Sequence, residues 1–180
     1  MKPVQLSLRL LSTGEKMADS VYQIIESKTE ALLAIDQVIA SAAHRLSIFD
    51  EDPVHLRDHG FGAPSRVAAL RQYLLGNRQR QLVLVLHEVR AIESEVPRLV
   101  ALVGHFSSQF AVRRTVGRAR EAHDPMVLAD RHSIWHHLHI GHPRSVLSMN
   151  DPEDCQPRAE RFEDILESSE AVSVGSTAGL

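Results

Sequence analysis

The chain has 180 residues, of which 43% are hydrophobic, 24% charged and 4% aromatic, and its formal net charge is −3. This balance excludes a disordered chain and predicts one globular domain, and the single cysteine, Cys155, excludes a disulfide framework or a cysteine-based zinc site within one chain. No apolar run reaches the roughly 20 residues of a membrane span, and residues 4–11 lead to no cleavage-like site. We therefore expect a cytoplasmic protein with no membrane span and no signal peptide.

The first half of the chain alternates predicted strands and helices. Residues 1–20 are mixed in character, and we expect them to be poorly ordered. Ser27 and Glu30 form a Ser-x-x-Glu capping box in front of an apolar 3–4 pattern, which predicts the start of an amphipathic helix. The predicted elements are, in order, a strand at 21–26, a helix at 27–42, a strand at 45–50, a polar loop to residue 63 and a helix at 64–76.

The second half continues the alternation. The run Leu82–Leu86 is apolar without alternation, which is typical of a strand that is covered on both faces. The remaining predicted elements are a helix at 95–107, a strand at 109–115, a hairpin of strands at 125–130 and 133–140, and a helix at 158–169. We predict an α/β domain over residues 21–170, in which a mixed but mostly parallel sheet is sandwiched between helices, followed by a flexible tail at 171–180.

The charges are unevenly distributed along the chain. The basic residues comprise 17 arginines and three lysines, and no lysine follows Lys28. Residues 61–120 carry 10 basic and 3 acidic groups, a net charge of +7, whereas residues 121–180 carry 4 basic and 11 acidic groups, a net charge of −7. A basic middle third can meet phosphate or nucleic acid. The simpler interpretation is that it faces the acidic last third, within the fold or in a partner chain.

Most common catalytic signatures are absent from the sequence, including the phosphate-binding loop, the dinucleotide fingerprint and the zinc-binding HExxH motif. The best candidate for chemistry is the segment HDPMVLAD at 123–130. In it, His123 and Asp130 are seven positions apart, and Pro125 stands two positions after the histidine.

This segment resembles the motif of phospholipase D-like phosphodiesterases, H-x-K-x-x-x-x-D. In that family the motif is followed by a stretch that contains glycine, serine and an asparagine. His123 and Asp130 match the motif, but Pro125 stands where the lysine is expected. Ser148 and Asn150 resemble the second stretch, with leucine in place of its glycine and a longer spacing from Asp130 than the family pattern has. More closely, the chain resembles an uncharacterised bacterial family of degenerate phospholipase D-like domains. The segments that carry this resemblance are RLSIFD, QLVLVLHE, DPMVLAD and SMNDPEDCQPRAERFEDILESSE.

The resemblance implies a half-domain fold and a histidine that attacks phosphorus, with the lysine and the asparagine holding the phosphate oxygens. Proline supplies neither a charge nor a backbone donor at the lysine position. Any phosphate contact would therefore rest on arginine. We expect Arg114 to be the best such contact, and Arg131 and Arg144 are further candidates.

Three interpretations of function remain open. The first is a non-catalytic module that binds a phosphate-containing ligand or a protein partner at Arg114, His123, Ser148 and Asn150. The second is an active phosphodiesterase that uses His123. In the third, a histidine cluster binds a metal ion, with His137 and His139 sharing one face of a strand.

Each of these residues also has an ordinary structural explanation. His123 can be a loop residue in front of a buried strand, Asp130 suits a hairpin turn, and Ser148 and Asn150 can be loop and cap residues. The five histidines at 132, 136, 137, 139 and 142 can simply lie on an exposed hairpin. We expect Phe110 and Trp135 to belong to the core.

The resemblance also suggests partners. Single-motif phospholipase D-like chains pair so that two sites face each other, which implies a homodimer with an interface near His123. Similar domains occur fused behind GNAT-type acetyltransferases. We expect no cofactor, and the negative net charge argues against a nucleic-acid partner.

Overall fold

A computed structural model describes residues 19–138 and 144–175 of the chain. The helices are α1 (Lys28–Ser41), α2 (Pro53–Asp58), α3 (Pro64–Gly76), α4 (Ile92–Glu95), α5 (Pro97–His105) and α6 (Pro152–Glu167), and a 3₁₀ helix covers Gly117–Glu121. The strands are β1 (Val21–Ile25), β2 (Arg45–Asp50), β3 (Gln81–Leu86), β4 (Phe110–Thr115), β5 (Met126–Ala129), β6 (Ser133–His137), β7 (Ser145–Met149) and β8 (Ser169–Ala171).

The strands form one sheet in the order β1-β7-β6-β5-β2-β3-β4-β8. The prediction of a mixed sheet is confirmed, but the expected parallel majority is wrong. Within the described part of the chain, only β2–β3 and β3–β4 pair in parallel, and the other five pairings are antiparallel. One reason is the series β5, β6 and β7, which are joined by short connections and pair as consecutive antiparallel neighbours.

Helices cover both faces of the sheet. On one face α1, α3 and α5 enclose the larger core, which includes Ile35, Leu70 and Leu99. On the other face α6 and the 3₁₀ helix cover a smaller core around Phe162. Phe110 and Trp135 are both buried, as predicted. Covering both faces of the sheet in this way explains why β2 and β3 are almost continuously buried.

Local capping signals determine where several helices begin. The Ser27 hydroxyl accepts a hydrogen bond from the Glu30 N–H at 3.2 Å, which confirms the predicted capping box. Asp52 caps α2 by accepting from the N–H groups of Val54 and His55 at 2.8 and 2.9 Å, within the segment that we predicted as a loop. Pro97 occupies the first turn of α5, so α5 is the helix predicted at 95–107, and the short helix α4 before it was not predicted.

The end of the chain also differs from the prediction. Helix α6 begins at Pro152 instead of residue 158, because Asp151 caps it by accepting from the Asp154 N–H at 3.1 Å. Strand β8 begins at Ser169, within the predicted helix, and pairs with β4. The segments predicted as poorly ordered, 1–20 and 171–180, lie mostly outside the described residues.

Two edges of the sheet matter for the site. The carboxyl edge is defined here by the last residues of β2, β3 and β4, which are Asp50, Leu86 and Thr115. The amino edge is defined by the first residues of the same strands. Because β5 and β7 run antiparallel to β2, they start at the carboxyl edge and end at the amino edge.

Candidate functional site

His123 lies at the carboxyl edge, between the 3₁₀ helix and β5. Its position follows from the register of β5, whose first residue, Met126, pairs with Phe49 near the end of β2. The side chain is 59% exposed, and its Nδ1 lies 3.1 Å from Oε1 of Glu51. The carboxylate therefore orients the imidazole through Nδ1, and Nε2 is the nitrogen that this pair does not use.

His87 supports the peptide that carries His123. His87 Nε2 lies 2.5 Å from the carbonyl oxygen of Ala122, and its Nδ1 lies 2.7 Å from the hydroxyl of Thr115. Because a carbonyl only accepts, Nε2 donates to the Ala122 carbonyl, and Nδ1 pairs with the Thr115 hydroxyl. The rings of His87 and His123 meet edge to face, with their centroids 6.0 Å apart. His87 is thus a positioning residue for this edge, which the sequence reasoning missed.

The two residues that follow His123 make structural contacts with other elements of the domain. Asp124 forms a bidentate ion pair with Arg161 of α6, with N–O distances of 2.5 and 2.7 Å, and this hydrogen bonding raises the pKa of the arginine. The Pro125 carbonyl accepts from the His137 N–H at 3.0 Å. Pro125 therefore contributes a sheet contact at the position where the motif expects a cationic side chain.

Asp130 has a structural role at the opposite edge. Its carboxylate accepts three backbone N–H groups, from Ala43, His44 and Arg45, at 2.5, 2.9 and 2.6 Å. Its backbone is in the left-handed region, with φ of 49°, and the side chain is only 9% exposed. Asp130 thus holds the start of β2 and lies a full strand length away from His123.

Ser148 and Asn150 also lie at the amino edge, because β7 ends there. Ser148 pairs with Ile134 across the sheet, and the Asn150 N–H donates to the Ser133 hydroxyl at 3.2 Å. The Ser148 hydroxyl faces Cys155. Burial raises the pKa of the Cys155 thiol to about 12. The structure therefore does not bring Ser148 and Asn150 together with His123.

The arginines expected to replace the lysine are engaged elsewhere. Arg114 pairs with Glu170 of β8, with Nε 3.1 Å from Oε1, and strand alternation directs it to the face opposite Thr115 and His87. Arg144 pairs with Glu26 at 2.9 Å. Arg131 occupies the β5–β6 turn at the amino edge, with φ of 62°. Glutamates therefore hold Arg114 and Arg144, and Arg131 lies at the edge opposite His123.

A second group of side chains occupies the carboxyl edge on the face of α1 and α3. The buried carboxylate of Asp50 lies 2.6 Å from Nδ1 of His59. The His59 ring contacts those of Trp135 and His137, with centroid separations of 5.1 and 5.6 Å. Sequence reasoning missed Asp50 and His59, since one ends a strand and the other follows a short helix. No local pattern links two such positions.

The histidine cluster does not converge on one point. His132 lies at the amino edge, 3.8 Å from the Asp130 carboxylate. His136 is buried beneath α6, where burial and then the charge of Arg158 lower its pKa, and His137 lies on the other face. The residues at 139 and 142 lie outside the described part of the chain. Within 19–138 and 144–175, no three His, Cys, Asp or Glu side chains are arranged to hold a metal ion.

Comparison with solved structures identifies the class of fold. The chain is similar to Nuc from Salmonella typhimurium, a phospholipase D family member, with 15% identity, a TM-score of 0.53 and coverage of 85% of this chain and 98% of that chain. NucT from Helicobacter pylori gives 11% identity, a TM-score of 0.56 and coverage of 85% and 99%. The domain thus has a phospholipase D-like fold.

The family follows from the sequence. Residues 27–174 match the profile of the family described as Domain of unknown function (DUF7931), and the chain belongs to that family. A search of curated protein sequences finds no match. The fold is also similar to that of TrmBL2, an archaeal chromatin protein whose structure shows a mode of DNA binding, with 14% identity and a TM-score of 0.59. That match covers 84% of this chain and 53% of TrmBL2, so the chain spans about half of that protein.

The helices can also be assessed as possible membrane-spanning segments. In the portion of the chain that is described, none of the helices combines the length and the apolar character needed to cross a bilayer.

Proposed function

We propose that this domain is a non-catalytic phospholipase D-like module that acts by binding. The observation that carries the proposal is Pro125, which stands in place of the motif lysine beside an exposed histidine. Transition-state charge on a phosphoryl group needs a preorganised cation, and removing one such donor costs on the order of 10²–10³ in rate. The candidate arginines pair with Glu170 and Glu26 or lie at the other edge, which supports the non-catalytic proposal.

Of the two binding classes that the sequence suggests, the charges favour a protein partner. The carboxyl edge presents Glu51 beside His123 and the buried carboxylate of Asp50, whereas Glu88 is paired with Arg90 at 3.4 Å. Carboxylates repel a phosphate and attract basic peptide groups. The fusions of similar domains to GNAT-type acetyltransferases make such an enzyme one partner class to test.

The other binding class is a phosphate-containing ligand. Of the residues that we expected to contact such a ligand, only His123 is available to bind it at this edge. A protonated imidazole can donate to a phosphate oxygen through Nε2 while Nδ1 remains with Glu51. Titration with inorganic phosphate, followed through the ring signals of His123 by NMR, measures this directly. Saturable shifts that disappear in His123→Ala would assign phosphate binding to this edge, whereas unchanged signals leave the protein partner as the binding class.

An active phosphodiesterase remains the second candidate, because one contact favours it. Glu51 holds Nδ1 of His123, which directs Nε2 outward as a nucleophile would require. The experiment is hydrolysis of bis(p-nitrophenyl) phosphate by wild type, His123→Ala and Pro125→Lys. We expect wild type and His123→Ala to match the buffer. Turnover by wild type that His123→Ala abolishes would overturn the non-catalytic proposal.

Pro125→Lys is the matched gain-of-charge variant. If only the missing cation prevents catalysis, this variant hydrolyses the substrate while wild type does not. If Pro125→Lys also remains inactive while folding normally by circular dichroism, the loss extends beyond the lysine. That outcome fits the positions of Asn150 and His123 at opposite ends of the strands.

A further inference from the structure

Helices α1 and α3 enclose a cavity near the amino edge of the sheet. Its volume is about 390 Å³, and small-molecule sites occupy roughly 300–1,000 Å³. Ile39 and Tyr73, which line it, are buried, whereas Ala40 and Ala69 at its rim are exposed. The cavity thus combines a largely apolar floor with an opening to solvent, at the end of the sheet opposite His123.

Arg80, which immediately precedes β3, is held in place at this cavity. Its Nε donates to the Ala43 carbonyl at 3.0 Å and its Nη1 to the Tyr73 carbonyl at 2.8 Å. The guanidinium also lies over the Tyr73 ring, 5.0 Å from its centroid. A Cβ at Gly76 would collide with this guanidinium, so the glycine leaves the space that it occupies. Of the five N–H groups of a guanidinium, the two bonds leave three for a ligand.

The charges around the cavity favour an anion. The other guanidinium that lines it, Arg66, is buried and paired with Asp36 at 2.7 Å, whereas Arg80 forms no ion pair within the described part of the chain. Residues 64–81, which comprise α3 and the connection to β3, carry four arginines and no acidic residue. Asp130 lies near this end of the sheet, but three backbone N–H groups hold its carboxylate. The ends of α1 and α3 add only partial negative charge, and Arg80 already donates to carbonyls at both ends.

We propose that this cavity binds a small organic acid, with its carboxylate on Arg80 and its hydrocarbon part against Ile39 and Ala42. A carboxylate matches the planar fork of a guanidinium, and one unpaired cation at the cavity matches a single negative charge. The buried apolar side chains favour a hydrocarbon body. The Tyr73 hydroxyl donates to the Gln81 carbonyl at 3.1 Å, and burial raises its pKa to about 12, so it contributes no opposing charge.

Benzoate is the probe for this site, because it joins a carboxylate to an apolar ring. An NMR titration of the full chain follows the Nε–H signal of Arg80 and the methyl signals of Ile39. We expect saturable shifts of both, with a dissociation constant on the order of millimolar for a probe of this size. The absence of saturable shifts at these two residues would overturn the proposal.

Two further probes test the chemistry of the ligand. Benzyl alcohol has the same ring without the charge, and it should bind about tenfold more weakly, because the hydrogen bonds to Arg80 are then no longer charge-assisted on both sides. Inorganic phosphate has the charge without the ring, and it should also bind more weakly than benzoate. Benzyl alcohol that binds as well as benzoate would exclude a role for Arg80, and phosphate that does so would exclude an organic acid as the preferred ligand.

Ala69→Leu tests the location while leaving Arg80 in place. The larger side chain at the rim should weaken benzoate binding about tenfold, because it takes space that the probe needs. Ala68→Leu is the matched control, since Ala68 is the neighbouring exposed alanine of α3 and does not line the cavity. This control should bind benzoate as wild type does, and equal binding by the two variants would contradict the location.

Arg80→Gln removes the cation and should abolish saturable benzoate binding. Because Arg80 also supports the ends of α1 and α3, circular dichroism must show a folded protein before this result is counted. Unchanged benzoate binding by folded Arg80→Gln would overturn the proposal. The reporting signals belong to Ile39 and Arg80 and not to His123, so failure here is distinguishable from failure of the binding proposed at the carboxyl edge.

Discussion

The carboxylate of Asp130 accepts its hydrogen bonds from the backbone. It accepts the N–H groups of three consecutive residues, 43–45, which lie at the start of β2. Hydrogen bonds to a charged group are stronger than neutral ones. A residue that fits a catalytic motif by spacing therefore contributes to stability at the edge opposite the histidine.

Asp130→Ala should lower the free energy of unfolding by about 3 kcal/mol, since it leaves three N–H groups without their acceptor. Alanine is also disfavoured at the positive φ of this residue. Asp130→Asn is the control, because asparagine tolerates that backbone and keeps one acceptor oxygen, so its loss should be smaller. Urea denaturation measures both. A wild-type midpoint for Asp130→Ala would show that these bonds do not contribute to stability.

The position of His123 depends on hydrogen bonds made by His87 and Glu51. The Ala122 carbonyl accepts from His87, so the peptide preceding His123 is fixed by a side chain that follows β3. Glu51 then orients the His123 ring from the end of β2. The position of His123 is therefore decided by three elements that are distant in sequence.

At the scale of elements, capping determines helix boundaries. The Ser27 hydroxyl accepts from the Glu30 N–H and donates to its carboxylate at 2.8 Å. Asp52 and Asp151 cap α2 and α6 in the same way, each with a proline in the first turn. These signals are local, and they explain why the start of α1 was predictable. The caps of α2 and α6 carry equally local signals, which the sequence reasoning did not apply.

Ser27→Ala should lower the free energy of unfolding by about 1 kcal/mol, because the N-cap acceptor of α1 is lost. Thr29→Ala is the matched control in the same exposed first turn, and it should be neutral or slightly stabilising because alanine is the better helix former. Thermal or urea unfolding of the three proteins measures the difference. Equal losses in both variants would mean that the cap contributes nothing specific.

The direction of each strand is also determined at the scale of elements. Strands β5, β6 and β7 are consecutive antiparallel neighbours, so each runs opposite to the one before it. This meander carries His123 to the carboxyl edge at its start and Asn150 to the amino edge at its end. A motif that spans the meander is therefore divided between the two edges.

For the whole molecule, burial beneath α6 makes Cys155 a reporter of unfolding. The side chain is fully buried, and burial raises its thiol pKa to about 12. The thiolate is the reactive species, so the native thiol is protonated as well as covered. Its reactivity should depend on opening of the core between α6 and the sheet.

Ellman's reagent at pH 8 should therefore label the native protein only as fast as that core opens. In guanidinium the same reagent should label one thiol per chain at once, since Cys155 is the single cysteine. Leu75→Cys serves as the control, because its added thiol is exposed and should react immediately in the native state. Labelling of native Cys155 at the unfolded rate would contradict this account of the core.

How much of the domain could be predicted depends on the range of each interaction. The amphipathic α1, the buried β3 and the hairpin of β5 and β6 are encoded by periodicity and turns within a few residues, and their predictions are confirmed. Strand β8 and the antiparallel majority were missed, because strand partners lie far apart in sequence. The pair of Asp50 and His59 was missed because only packing unites the end of β2 with the residue after α2.

The sequence by itself determined the composition of the candidate site: an arginine-rich chain with no lysine after Lys28, and Pro125 in the lysine position of a motif that otherwise matches. That much follows from residue identity and local spacing. Only the tertiary structure decided which of those residues meet. It placed His123 with Glu51 and His87 at one edge and Asp130, Ser148 and Asn150 at the other, because strand direction and not sequence distance determines the end of a sheet at which a residue lies.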